Sequence, residues 1–476
     1  MQKKPLLHML FFVICLPLSG YTHWNWDHID PTKINGQSLA DFFSSYRQKL
    51  AQQEGLHDRW LWGVGSSAQT VEGNCTNNNW SVWPSQTEGL LEAGVACDHW
   101  NRYKEDIQLI KALGVNSYRF SIEWSKVEPS PGVFDQAALD HYKSVCQECL
   151  RNDIIPVVTL FQYTEPLWFY NSGSWEKEEN IAYFVEFAQQ VFSQLHEYVH
   201  LWITFNVPEA HAMRGWFGWP YSSRPPAKKD MQLAAIVLKN LLEAHVQVYR
   251  AFKSMKGGDN SRIGIIKNLF QLEPWHWLNP YDQYCSAKAT YILDKVMLRF
   301  LKTGSYHFYV PGIAYCSHQN ESIKPNNNCL DFIGLNYYGH TYLSQGQITR
   351  DVINETPTDN PLYTMYAEGF YNALKQLHDE LAQPLNIPIY VTENGIATKD
   401  NSFRTVYYQR YLYSLAKAIS EGCDVRGYVL WSFMDSYEWG TFEKRYGLYH
   451  VNFDTQERTL RPSAAYYIDL VKASLA

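Results

Sequence analysis

The feature that most constrains this chain is an alternation of two kinds of text. Eight short apolar runs, rich in β-branched and aromatic residues, are separated by longer stretches in which apolar residues return every three or four positions. The short runs are Trp60–Ser66, Asn116–Ile122, Ile154–Phe161, His200–Phe205, Arg262–Leu269, Asp331–Tyr337, Ile387–Thr392 and Gly427–Phe433. The longer ones include Tyr103–Leu113, Ala137–Asn152, Ile181–Tyr198, Leu233–Met255, Tyr281–Leu301, Glu368–Leu381, Arg404–Glu421 and Ser463–Leu475. The first kind reads as strand and the second as amphipathic helix. Eight strand–helix alternations predict an α/β fold, a single-domain (β/α)8 TIM barrel, rather than an open sheet. A length of 476 residues suits that reading, because such barrels often exceed the usual span per domain. The barrel is expected over residues 58–476, behind a polar lead-in at 21–57.

The N-terminus has a different character. Lys3 and Lys4 precede the mostly apolar run Met9–Leu18, which ends in Ser19 and Gly20. That order predicts a signal peptide over residues 1–20 and a secreted or periplasmic protein. Of nine cysteines, eight remain once Cys15 is removed, an even number that suits an oxidising compartment without revealing any pairing. Cys146 and Cys149 form a lone C-x-x-C with no second pair to complete a zinc site, and no metal or cofactor is expected. With a net charge of −7 and no basic stripe, nucleic acid is not an expected partner. Past the N-terminus no apolar stretch is long enough to span a bilayer. The 17 Trp and 34 Tyr fit either heavy aromatic packing or a carbohydrate site, where sugar faces lie on rings.

In a barrel of this kind chemistry gathers at the C-terminal ends of the strands. Asn206, Asn336, Glu393 and Glu438 fall at or just past such ends, and Arg119 lies within its strand run. The segment Tyr390-Val-Thr-Glu-Asn-Gly395 puts an acid at the end of a β-branched strand, followed by the turn signal Asn-Gly. Alone, Glu393 would read first as a helix cap or a surface acid. The chain also carries Trp60-Leu-Trp-Gly63, Tyr118-Arg-Phe-Ser-Ile-Glu-Trp-Ser125, Thr204-Phe-Asn-Val-Pro208, Asp331-Phe-Ile-Gly-Leu-Asn-Tyr-Tyr338 and Trp431-Ser-Phe-Met-Asp-Ser-Tyr-Glu-Trp439. In order and spacing these strings resemble the motif set of glycoside hydrolase family 1, over about residues 58–475.

The resemblance implies a retaining β-glycosidase and, as partner, a β-linked carbohydrate or glycoside. Retention needs a nucleophilic carboxylate and an acid/base carboxyl about 5–5.5 Å apart. By resemblance Glu393 is the nucleophile, with Arg119 beneath it and Tyr338 bonded to it, while Asn206 meets the sugar 2-hydroxyl. Glu438 and Trp439 resemble the pair that binds the far hydroxyls, and Trp431 the platform under the ring.

Three positions depart from the family pattern. The family reads Asn-Glu-Pro at the end of the fourth strand, and here the text is Asn206-Val207-Pro208. Val207 cannot donate a proton, and losing a general acid costs about 10²–10⁴-fold. Glu209 is the nearest replacement. A sugar-binding Gln is replaced by Thr70, with Gln69 one residue early, and a sugar-binding His is replaced by Gln162. The phosphoglycosidase branch carries Ser where this chain has Glu438, which would repel a phosphate, although Lys444 and Tyr446 could serve in either branch. The expected function is therefore a glycosidase for non-phosphorylated β-glycosides with impaired acid/base chemistry. Two alternatives stay open: a sugar- or protein-binding pseudo-glycosidase, and a transglycosylase or glycosidase for activated leaving groups.

Overall fold

The computed structural model describes residues 36–52, 59–219, 224–324, 328–349 and 355–476. Every one of the eight apolar runs contains a strand. They are β1 (Leu61–Gly65), β2 (Ser117–Ser121), β3 (Ile155–Phe161), β4 (Leu201–Phe205), β5 (Arg262–Asn268), β6 (Phe332–Tyr337), β7 (Ile389–Asn394) and β8 (Val425–Trp431). Neighbours pair in parallel, and β1 bonds to both β2 and β8, which closes the barrel. The strands are buried on both faces, by the barrel interior and by the helices outside. That double burial is why they read as continuous apolar runs rather than alternating ones.

The outer layer follows the periodic stretches. His99–Ala112, Gln136–Arg151, Ile181–Leu195, Met231–Ser254, Ala367–Leu377, Asn401–Ser420 and Ala464–Leu475 are helices. Asp135, Asp230 and Asp400 each accept a backbone N–H from the first turn of the helix that follows, satisfying donors the helix cannot pair internally. The expected helix Tyr281–Leu301 consists of Pro280–Thr290 and Val296–Thr303 joined by a π-helical turn, Tyr291–Lys295.

Several details differ from the sequence reading. Within the polar lead-in, Gly36–Ala51 forms a helix that buries Leu39, Phe43 and Leu50. The Phe43 ring lies 5.4 Å from that of Trp60 and 4.9 Å from that of Trp62, so this helix packs beside β1. A stripe of few apolar residues among Gln, Ser and Lys concealed it. All eight cysteines of the described residues are free thiols, six of them buried, so the even count carries no pairing here. The expected signal peptide, residues 1–20, lies outside the described residues. Among the described residues no helix is long and apolar enough to cross a membrane. Past the ends of β5 and β6 a small sheet of Gln271–Pro274, His340–Ser344 and Gln347–Thr349 adds to the rim that carries the site.

Candidate active site

Glu393 sits near the end of β7, where parallel register with β6 places it opposite Asn336. Its Oε1 accepts from Arg119 Nη1 at 2.6 Å and from Gln162 Nε2 at 3.3 Å, and its Oε2 accepts from the Tyr338 hydroxyl at 2.6 Å. Charge-assisted bonds of this kind are the strong ones. Burial, and next the Glu393 charge, push the Tyr338 phenol well above its usual range, so it remains a donor. Arg119 is fully buried within β2, which is tolerable only because its donors are used. Nε donates to Thr159 Oγ1 at 3.0 Å, Nη1 also to the Thr392 carbonyl at 3.1 Å, and Nη2 to Asn206 Oδ1 at 3.0 Å. Asn336 donates to the same Asn206 oxygen at 3.0 Å and accepts from Thr392 at 2.8 Å. One network thus joins β2, β3, β6, β7 and the residue just past β4.

Gly395 has a different reason from the expected turn. A Cβ at that position would lie 1.7 Å from the Trp431 carbonyl oxygen, so the chain after Glu393 passes too close to β8 for any side chain.

Glu393, Gln162, Asn206, Asn336, Tyr338, Trp431, Glu438 and Trp439 all line one cavity of about 250 Å³ at the mouth of the barrel. Val207 and Ala210 line it as well. Val207 stands at φ 47°, ψ 65°, a left-handed conformation that strains a β-branched residue by about 1–3 kcal/mol. Val207 precedes the short helix Pro208–Ala212 as its N-cap residue.

Glu209, on that helix, does not come to the cavity. Its Oε1 accepts from Lys267 Nζ at 2.9 Å and from the Asn268 amide at 2.9 Å, and the residue is fully buried. Lys267 also pairs with Asp294 at 2.9 Å. Burial works against the Lys267 charge, but Asp294 and Glu209 outweigh it and hold the ammonium above the usual lysine range. Burial likewise pushes the Asp294 carboxyl up to about 6. The carboxylate two residues after Val207 is committed to this ion cluster. Gln69 and Thr70 are also away from the cavity lining. Gln69 accepts from Asn78 at 2.8 Å, and the Thr70 hydroxyl bonds to the Ser67 carbonyl at 2.9 Å.

In the same cavity lining, Glu438 Oε1 accepts from the Trp431 indole at 3.3 Å and from the Ser436 hydroxyl at 3.2 Å. Burial pushes its carboxyl up to about 7, against the pull of Lys444. Lys444 and Tyr446 line the cavity too.

The model of Glycosyl hydrolase family 1 matches residues 52–475. The chain belongs to glycosyl hydrolase family 1. Beta-glucosidase A of Acetivibrio thermocellus is 29% identical over 443 residues, covering 87% of this chain and 97% of its own. A 6-phospho-beta-galactosidase of Clostridium acetobutylicum is 30% identical over 462 residues, covering 86% and 95%. Among solved structures, a beta-glycosidase from Pyrococcus horikoshii has a TM-score of 0.78 at 32% identity, covering 87% of this chain and 94% of that one.

In this family 1 chain the cavity contains more than the motifs announced. Trp80, Trp83, Tyr163, Arg214 and Arg224 line it, all from segments past strand ends. Residues Trp216 to Pro226 carry neither helical nor strand periodicity, so no pattern marked Arg224 as part of a site. The cue in the text was the density of aromatic residues there.

Proposed function

We propose that this family 1 chain is a retaining β-glycosidase acting on a non-phosphorylated β-glycoside by double displacement through Glu393. Turnover favours aglycones that leave without a proton donor. The observation that carries the reading is the contrast across one cavity, with Glu393 held by Arg119 and Tyr338 on one wall and Val207 on another. In the first displacement a Glu393 oxygen bonds to the anomeric carbon as the bond to the aglycone oxygen breaks. The electron pair leaves on that oxygen. An acid would protonate it at that moment, and without one the loss is about 10²–10⁴-fold, concentrated on basic leaving groups. In the second displacement water attacks the anomeric carbon, its proton passes to solvent, and the Glu393 carboxylate is restored.

The remaining cavity residues support sugar binding. Asn206, fixed between Arg119 and Asn336, is suited to the 2-hydroxyl, a contact that strengthens in the transition state. Trp431 and Trp439 offer rings, Gln162 an amide, and Glu438 an acceptor. A carboxyl at Glu438 disfavours a doubly charged phosphate on the sugar, which supports an unphosphorylated glycone. One observation favours a binding-only reading instead: Gln69 and Thr70, at the position of a sugar-binding Gln in the family, do not line the cavity.

The test is trapping. A 2-fluoro β-glycoside with a good leaving group should add one glycosyl mass to the Glu393 peptide. A folded protein that never takes the label would remove the catalytic reading and leave binding alone.

A further inference from the structure

The cavity carries positive charge that a neutral sugar does not use. The Arg224 guanidinium lies 3.9 Å from the Tyr163 ring centre, 5.3 Å from Trp439 and 5.9 Å from Trp80. The residue is only 7% exposed, and its Nε and Nη1 have no hydrogen-bond partner among the described residues. Rings satisfy the faces of a guanidinium but cannot accept its in-plane N–H groups. Buried donors left in that condition are costly, and their presence in a cavity wall calls for an acceptor that arrives from outside.

Arg224 is not alone. Its amide donates to the Arg214 carbonyl at 3.1 Å, which ties the main chains of two cavity-lining arginines together. Arg214 sits on a π-helical turn, Met213–Phe217, a distortion often found at functional sites. Lys444 is the third cation of the lining, against the two carboxylates Glu393 and Glu438. Glu393 is already paired with Arg119. Burial holds Lys444 below the usual lysine range, Glu438 opposes that, and Arg214 and Arg224 add to it, so Lys444 feels both arginines.

The location says which part of a ligand would meet this charge. Tyr163 follows Gln162, and Trp439 follows Glu438, the residues whose motif positions read the sugar hydroxyls far from the anomeric carbon. Arg224 lies against both rings.

Resting on the reading of this cavity as a sugar site, we propose that the preferred glycone carries a monoanion, a carboxylate or a sulfate ester, on its edge away from the anomeric carbon. Arg224 is its principal donor, with Arg214 and Lys444 supplying further positive charge. A doubly charged phosphate fits less well, because Glu438 shares the cavity.

The experiment measures binding, so it does not depend on turnover. Glu393→Gln protein is titrated by calorimetry with aryl β-glycosides that share one aglycone and differ in the sugar: a glucoside, a glucuronide, a sulfated glucoside and a 6-phosphoglucoside. The uronide or the sulfated sugar is expected to bind about tenfold or more tightly than the neutral one, as a charge-assisted bond would give. Which of the two binds better identifies the source of the oxyanion. Adding Arg224→Gln should bring the ratio near one, while Arg224→Lys, which keeps the charge, should retain part of it. Equal affinities, no binding by any of them, a preference for the phosphate, or a preference that survives Arg224→Gln would each overturn the proposal. Labelling of Glu393 by a neutral 2-fluoro glycoside is read separately. Label without charge preference removes this inference alone, and charge preference without label removes only the catalytic reading.

Discussion

Two carboxylates, Glu393 at a motif position and Glu209 two residues after one, are each bonded by a buried cation, and only the first lines the cavity. Glu393 is held by Arg119, Gln162 and Tyr338, yet still faces the cavity. Glu209 is bonded by Lys267 and by the Asn268 amide, and it faces none. Both acids are bonded by a cation, and the difference is position: Glu393 lines the cavity, whereas Glu209 is buried away from it with its Oε2 left without a partner among the described residues. Val207, two residues before Glu209, lines the same cavity as Glu393.

The sharpest way to break this comparison is to restore the donor. Val207→Glu should speed hydrolysis of glycosides with poor leaving groups by about 10²–10⁴-fold and change good ones little. Initial rates on a matched pair of aryl and alkyl glycosides check it, and an unchanged ratio would mean that Val207 is not the defect. As a complement, Val207→Gly opens the wall, and added azide or formate should then accelerate turnover.

Removing Lys267 tests the other carboxylate. Lys267→Met would strand Glu209 and Asp294 as buried charges and should cost about 3–5 kcal/mol of stability, read by denaturant melts. The rate of Glu393 labelling per folded molecule should be unaffected. A labelling defect larger than the loss of folded protein would return Glu209 to the chemistry.

Tyr338→Phe probes the first carboxylate more gently. Losing one bond to a charged group should slow glycosyl-enzyme formation by about tenfold or somewhat more, with KM nearly constant.

The smallest effect concerns pH. Glu438 is pushed up to about 7 by burial, so it is mostly neutral below that pH and charged above it. The groups around it are Lys444, the Trp431 indole, the Ser436 hydroxyl, Tyr446, Tyr338 and Glu393. Affinity for an anionic glycoside should fall a few-fold as pH rises through this range, and Glu438→Gln should flatten the profile.

Much of the molecule was legible in its sequence because double burial makes barrel strands read as unbroken apolar runs. Glu393, Arg119, Tyr338, Asn206 and Trp431 belong to those runs or their immediate ends, and the structure brings them together. What was not legible depends on directions set by single dihedrals and by loops. The left-handed turn at Val207 sends Glu209 toward Lys267, and nothing in Val-Pro-Glu announces it. Gln69 and Thr70 lie on a single helical turn, Ala68–Val71, whose rotation decides which side chain meets the site. Arg224 reaches its place from a segment without periodicity. The lead-in helix escaped notice because its apolar stripe is narrow.

The most direct test of an intact nucleophile facing a missing acid is first-turnover aglycone release across aryl β-glycosides graded by leaving-group pKa. A steep fall in rate as the leaving group becomes more basic, with measurable release at the acidic end, is the predicted result. A shallow dependence would show that some group still donates the proton, and no release at either end would show that Glu393 does not act.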